Sequence, residues 1–186
     1  MKNKFSVIMT SIAGLAFLLF AVLVSVYFLY PQPWLLSAAI TLGTTAYHFL
    51  MRLAVGYGIL KLTHYDFDYR SQWFQPRSWE PAFYKMLNIK HWKNKLPTYA
   101  PDQFSMTETP LHRIIQNMCG AEIVHETIMV LSFLPLVTVP VFGAFPVFFI
   151  TSLLASVYDG IFVVIQRYNR PRLIRIYKKM EAKTRE

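Results

Sequence analysis

One apolar segment of this sequence contains three ionisable side chains within a span of five residues. They are Glu122, His125 and Glu126, in the stretch AEIVHET. Glu122 and His125 are one helical turn apart, so they share a helix face. A carboxylate beside an imidazole orients the ring and raises its basicity. A general base needs this arrangement to deprotonate a hydroxyl, so the pattern favours a catalytic pair. A polar cluster that only joins helices is the alternative.

The same residues could suggest a metal site. Glu-x-x-His is half of the ligand set of di-iron helix bundles, but that set requires a second copy and further Glu residues. The sequence contains one copy, and its single cysteine, Cys119, supplies no thiolate pair. We therefore predict no metal. The sequence has no GxSxG, P-loop or GxGxxG motif, which argues against a serine nucleophile and against nucleotide hydrolysis.

A second candidate site is the segment QRYNRPR, residues 166–172. A stop-transfer cluster at the end of a final membrane helix, which is the alternative interpretation, requires neither Asn nor Pro. Arginines alternating with Asn suit a phosphate or carboxylate group, such as the phosphates of a coenzyme A thioester or of a lipid. The predicted binding residues here are Gln166, Asn169, Arg170 and Arg172.

Three further ionisable residues lie inside apolar segments. A charge near the centre of a bilayer costs about 2.5–3.5 kcal/mol on insertion scales, so such groups usually face a bundle interior and serve a function. His48 and Arg52 are four residues apart and share a helix face, although Arg52 could instead extend to the membrane interface. Asp159 could pair with His125, Arg52 or His48. We predict that His48, Arg52 and Asp159 help to bind substrate.

The elements that must position these residues are membrane helices. Apolar residues make up 54% of the 186 residues, and roughly 20 consecutive apolar residues cross a bilayer. We predict an all-α integral membrane protein that forms one domain, 1–186, with about four transmembrane helices at residues 5–30, 34–62, 119–141 and 145–165. A signal peptide is the alternative for the first, but its apolar core would span only about 7–15 residues.

Residues 63–118 are too polar to span a membrane and too aromatic to be disordered. Within them, Pro81 to Trp92 is predicted to form one amphipathic helix that starts at a proline and lies at the lipid headgroups. This interfacial segment is expected on the cytoplasmic side, between the second and third spans.

Charge predicts the topology. The net charge of +9 is concentrated at the N-terminus, between Lys61 and Arg113 and in the tail after Gln166, whereas the links 31–33 and 142–145 contain no Lys or Arg. The positive-inside rule then places both termini in the cytoplasm of a multi-pass cell-membrane protein. No basic domain stands apart from the apolar segments, so the expected partner is the lipid bilayer and not nucleic acid.

Three segments together resemble the glycosyl-4,4'-diaponeurosporenoate acyltransferase family: WEPAFYKMLNIKHWKNKLP, AEIVHETIMVLSFLP and IQRYNRPRL. They lie in the family's order and span roughly residues 79–175. The resemblance implies transfer of a fatty acyl group from an activated donor to a sugar hydroxyl of a membrane-bound, lipid-like acceptor. It implies an acyl-CoA-type donor as co-substrate and no bound cofactor.

By matching positions, the resemblance implies that His125 takes the proton of the acceptor hydroxyl while Glu122 orients it. Asn169, Arg170 and Arg172 would bind donor phosphates or stabilise the thioester oxyanion. Trp92 and Lys93 would lie at the membrane surface beside the opening of the site and would help to bind substrate.

Two other functions compete with this one. A non-catalytic lipid-binding scaffold would use Glu122, His125 and Asp159 in hydrogen bonds between helices. A small helical membrane methyltransferase or reductase would also end in a basic aromatic sequence.

Overall fold

The computed structural model describes residues 4–64, 66–96 and 100–185. Within these ranges the secondary structure is helical with no strand, which confirms the predicted all-α class. The α-helices are α1 (Lys4–Leu29), α2 (Pro33–Leu62), α3 (Glu80–Met86), α4 (Ile89–Trp92), α5 (Leu111–Leu131), α6 (Val139–Phe142) and α7 (Phe145–Arg185). Short 3₁₀ turns lie at Gln72–Phe74, Lys93–Lys95, Pro101–Phe104 and Leu134–Thr138.

Three stretches of the described residues are long and apolar enough to cross a membrane: Ser6–Leu29, Leu111–Phe142 and Phe145–Thr184. The chain therefore has the helices of a membrane protein. The bounds of α2 agree with the predicted second span, but α2 does not belong to this set. The helix contains His48, Arg52 and several Gly and Thr residues, which lower its mean hydropathy. A count of four spans stays a prediction.

The helix bounds differ from the predicted spans on either side of residues 142–145. α5 begins at Leu111 instead of near residue 119, and α7 continues past residue 165 to Arg185. Hydropathy marks where a segment is apolar, whereas a helix continues through any good helix former, and Arg, Lys and Glu are among them. The predicted ranges 119–141 and 145–165 therefore describe the apolar parts of longer helical stretches.

The prediction of one helix from Pro81 to Trp92 is wrong, because the structure has two. Asn88 separates α3 from α4 with a φ of 49°. Asn is one of the few residues that adopt this left-handed conformation at low cost, since its short polar side chain can bond locally. The predicted start is confirmed, with Pro81 in the first turn of α3, where a missing N–H is tolerated.

The chain divides into two compact units. The first unit comprises residues 1–57 and 127–159, and the second comprises residues 58–126 and 160–186. The prediction of a single membrane domain stays a prediction.

In the first unit, the end of α5 is stabilised from α2. Pro135 has no N–H, so it cannot bond the carbonyl oxygen of Leu131 four residues earlier. The hydroxyl of Tyr47 donates to that oxygen at 2.7 Å. On the same helix, α2, a Cβ at Gly43 would lie 2.8 Å from the ring of Phe20, so α1 approaches α2 closely at this position.

Replacing Tyr47 with Phe is expected to lower the free energy of unfolding by about 1–3 kcal/mol, because it leaves the Leu131 carbonyl without this donor. Titration with sodium dodecyl sulfate in mixed micelles would measure the change. Tyr30→Phe is the control, since Tyr30 is 67% exposed. Equal stability of the two variants would show that the carbonyl finds another donor.

Candidate functional site

A buried ionic cluster in the second unit connects α5 to α7. Glu122 on α5 is fully buried, and its carboxylate accepts hydrogen bonds from two arginines of α7. Nη1 of Arg167 donates to its Oε1 at 2.6 Å, and Nη1 of Arg170 donates to its Oε2. The two arginines are three residues apart in QRYNRPR, so they point from one face of the helix.

Arg167 also bonds a second carboxylate, that of Glu80 in the first turn of α3. Nε and Nη2 of Arg167 donate to Oε1 of Glu80 at 2.8 and 2.6 Å. The hydroxyl of Tyr84 donates to Oε2 of Glu80 at 2.8 Å. Burial, together with this hydrogen bond, raises the pKa of Tyr84 above its usual value, so the hydroxyl stays protonated and remains a donor.

The arginines also bond the backbone of the 3₁₀ turn that precedes α3. Arg167 donates to the carbonyl oxygens of Trp73 and Gln75, both at 3.0 Å. Arg170 donates to the carbonyl oxygen of Phe74 at 2.7 Å, and its guanidinium lies 5.0 Å from the centroid of the Phe74 ring. Segment 73–75 is therefore fixed against α7.

Glu80, Glu122, Arg167 and Arg170 are called the arginine cluster below. It contains two carboxylates and two guanidinium groups, and the side chains of all four are at most 12% exposed. Burial of an isolated charge is very costly, and pairing with hydrogen bonds offsets that cost. The cluster is therefore a balanced unit in which loss of one member leaves an uncompensated charge.

The predicted catalytic pair is placed differently from what its spacing suggests. The carboxylate of Glu122 bonds two arginines, so it has partners other than His125. His125 is half-buried, and its ring stacks on that of Phe162 with a centroid distance of 4.8 Å and an interplanar angle of 13°. Glu126 accepts a hydrogen bond from Nε1 of Trp73 at 2.9 Å. The catalytic roles of His125 and Glu122 stay predictions.

Several predicted substrate-binding residues surround Tyr168 of α7. Nζ of Lys93 donates to Oδ1 of Asn169 at 2.6 Å and lies 5.3 Å from the centroid of the Tyr168 ring. Arg172 donates to the Tyr168 hydroxyl at 2.8 Å, with its guanidinium 4.3 Å from the ring centroid. Trp92 lies apart from these contacts and bonds the carbonyl of Leu87 at 2.8 Å.

Arg170 and Gln166 belong to the same predicted set but not to this arrangement. Arg170 is 1% exposed and pairs with Glu122, so a donor phosphate could reach it only by displacing that carboxylate. Gln166 is half-buried. The substrate-binding roles of both residues stay predictions.

In the first unit, Asp159 pairs with Arg52, one of the three partners that the sequence left open. Nη2 of Arg52 lies 2.5 Å from Oδ2 of Asp159, and the two side chains are 13% and 2% exposed. Arg52 therefore turns inward instead of extending to an interface. His48 is buried, and both of its ring nitrogens lack a hydrogen-bond partner among the described residues.

No group of three or more His, Cys, Asp or Glu side chains within the described ranges is arranged to hold a metal ion.

Sequence patterns did not assign a site role to Glu80, Arg167 or the carbonyls of segment 73–75. The spacing of Arg167 and Arg170 was a usable signal, because it places two cations on one helix face, and cations on a buried face require acidic partners. Nothing in the sequence marked Glu80 as one of those acids, since Glu80 and Arg167 are 87 positions apart in the sequence.

One known family matches more than half of the sequence. The family described as glycosyl-4,4'-diaponeurosporenoate acyltransferase matches residues 70–179, which is more than half of the sequence. The chain belongs to this family. No curated protein and no solved structure gives a significant match.

Membership in the glycosyl-4,4'-diaponeurosporenoate acyltransferase family confirms the predicted resemblance and indicates an acyltransferase of carotenoid glycoside biosynthesis. The matched range contains the whole arginine cluster, His125 and Asp159. It excludes His48 and Arg52, which lie on α2. The part of the chain that matches the family therefore contains the arginine cluster and the aromatic and basic residues around Tyr168.

Proposed function

We propose that this protein transfers a fatty acyl group from an activated donor to a hydroxyl of a membrane glycolipid or carotenoid glycoside, with His125 as the general base. The observation that carries the proposal is the setting of His125. It lies within the family-matched range, one turn after a carboxylate that two arginines hold in place, and Phe162 stacks on its ring.

In the proposed reaction the acceptor hydroxyl oxygen attacks the carbonyl carbon of an acyl-CoA-type thioester. His125 accepts the hydroxyl proton as the C–O bond forms. The C–S bond then breaks, and the leaving thiolate takes a proton from the imidazolium. No bound cofactor is required. Asn169 and Arg172 are proposed to contact the donor. The ammonium of Lys93 and the guanidinium of Arg172 lie beside Tyr168 and suit an anionic group.

Glu122 acts in this proposal as a positioning residue. Its bonds to Arg167 and Arg170 hold residues 111–126 of α5 against residues 160–185 of α7. His125 lies on this part of α5, and Phe162 lies on this part of α7. The arginine cluster therefore fixes the position of the imidazole on the Phe162 ring. Catalytic groups need such a rigid frame to meet a substrate in the right geometry.

The proposal includes α2 as a fourth span and places both termini in the cytoplasm. The link at residues 31–33 and that at residues 142–145 carry no Lys or Arg, whereas the segments at the other helix ends are basic. This pattern satisfies the positive-inside rule for a cell-membrane protein at every connection.

The experiment that tests the function is lipid mass spectrometry of membranes with and without the chain, in a host that makes carotenoid glycosides. We expect one class of glycoside to gain the mass of a fatty acyl group only when the chain is present. Unchanged lipids, with the protein inserted and folded, would contradict acyl transfer in that host. Purified protein with labelled acyl-CoA and extracted glycosides would then test transfer directly.

A lipid-binding scaffold is the second candidate, and one observation favours it. The buried acids Glu122 and Asp159 both bond arginines of neighbouring helices, as a scaffold would require. Under this alternative, the protein would co-purify with a lipid whose mass it never changes.

A further inference from the structure

A basic groove lies in the second unit, where α3 and α4 face α7. Its volume is about 480 Å³, within the range of small-molecule sites. Among the described residues, its walls carry four Lys and Arg side chains and no Asp or Glu. The four basic residues are Lys85, Lys90, Arg172 and Arg175.

The break between α3 and α4 brings the two lysines to one groove. In a continuous helix, residues five apart point about 140° away from each other, because each residue turns the helix by about 100°. The left-handed backbone of Asn88 interrupts the helix between Lys85 and Lys90. Both lysines therefore line the groove, with Asn88 between them.

The other wall is a second face of the QRYNRPR helix. Tyr168, Arg172 and Arg175 follow each other at spacings of four and three residues, so they share a face of α7. Arg167 and Arg170 bond Glu122 from the opposite side of the motif. The basic residues at this end of α7 are thus divided between a buried structural set and a set that lines the groove.

Within the part of the chain that the structure describes, the groove cations have no acidic partner. The side chains of Lys85, Lys90 and Arg175 are exposed and make no hydrogen bond or ion pair with the described residues. The carboxylates of the arginine cluster already bond Arg167, Arg170 and Tyr84 and are at most 2% exposed.

The groove differs in this respect from another of similar size in the same unit. That one has a volume of about 520 Å³, is lined by Glu181 and contains no Lys or Arg. Basic character is therefore a property of the groove beside Tyr168 and not of every surface of this cationic chain.

We propose that the basic groove binds a phosphate group. Lysine and arginine side chains around a concave surface form charge-assisted hydrogen bonds with phosphate oxygens, and Arg172 is already oriented by the Tyr168 hydroxyl. The phosphate belongs either to a nucleotide-type acyl donor or to an anionic phospholipid headgroup. The first source rests on the acyl transfer proposed above, whereas the second does not.

The test uses the full chain in nanodiscs and compares two variants with matched loss of charge. Lys85→Gln/Lys90→Gln removes two groove lysines. Lys178→Gln/Lys183→Gln removes two exposed lysines of α7 that do not line the groove. In neutral phosphatidylcholine discs, equilibrium binding of coenzyme A tests the soluble source. In discs that contain phosphatidylglycerol, native mass spectrometry counts the anionic lipid retained by the protein.

We expect the groove variant to bind its phosphate ligand roughly 25-fold more weakly than wild type, since each basic residue near an anionic group is worth a factor of about five. The control variant should bind nearly as wild type does. Weaker coenzyme A binding identifies the donor as the source, and a loss confined to retained phosphatidylglycerol identifies the lipid. Equal loss in the two variants, or no loss in either, overturns the proposal. Because neither assay requires turnover, absent acyl transfer with intact binding would count against the proposed reaction alone.

Discussion

Replacing Glu122 with Gln is expected to lower the free energy of unfolding by about 3–5 kcal/mol, the usual cost of removing one partner of a buried ion pair. Glutamine preserves the size of the side chain but removes the charge that compensates Arg170, which is 1% exposed. Arg167 retains Glu80, so the uncompensated charge falls mainly on Arg170. Titration with sodium dodecyl sulfate in mixed micelles measures the change.

Glu126→Gln provides the matched control, because it makes the same substitution one turn further along α5. Within the described residues, the Glu126 side chain bonds only Trp73. A glutamine oxygen can still accept that hydrogen bond. Its cost should stay below about 1 kcal/mol. If both variants lose the same stability, the cluster does not hold α5 to α7 and Glu122 loses its positioning role.

The helical class and the main helices could be predicted because membrane spans depend on one quantity, the length of an apolar segment. The start of α3 beside Pro81 was also predictable, since proline is favoured in the first turn of a helix. The break at Asn88 was not, because Asn tolerates the left-handed conformation without requiring it. The extension of α7 to Arg185 passes through Pro171, a residue that usually ends a helix.

Contacts on both sides of Pro171 explain why α7 continues. Arg167 and Arg170 are anchored before it, and Arg172 packs on Tyr168 immediately after it. These bonds hold consecutive turns in helical register although one backbone hydrogen bond is missing. The sequence contains the residues for this compensation, but their partners lie in segment 73–80 and α5, far away along the chain.

For the candidate site, spacing predicted which residues share a face but not what they face. Glu122 and His125 do lie one turn apart, yet the carboxylate is bonded by arginines that helical periodicity cannot assign to it. Asp159 had three possible partners in the sequence, and its ion pair with Arg52 could be assigned only from the packing of the helices. The division of QRYNRPR into a buried and a groove-lining set follows from periodicity, but which set is buried depends on the position of Glu80 and Glu122.

Replacing His125 with Ala is expected to reduce acyl transfer by about 10²–10⁴-fold, the range that a positioned general base contributes. Loss of the stacking contact with Phe162 should cost only about 0.5–1.5 kcal/mol of stability. The rate is measured with purified protein, labelled acyl-CoA and the glycoside that mass spectrometry identifies. His112→Ala is the control, since His112 is an exposed histidine of the same helix, and it should retain full turnover.

A further readout separates a base from a residue that only supports the fold. Added imidazole should restore part of the activity of the His125→Ala variant, because the small base can enter the space left by the side chain. A variant that is folded and inactive, but not rescued by imidazole, would assign His125 a positioning role. The proton acceptor of the reaction would then be a different group.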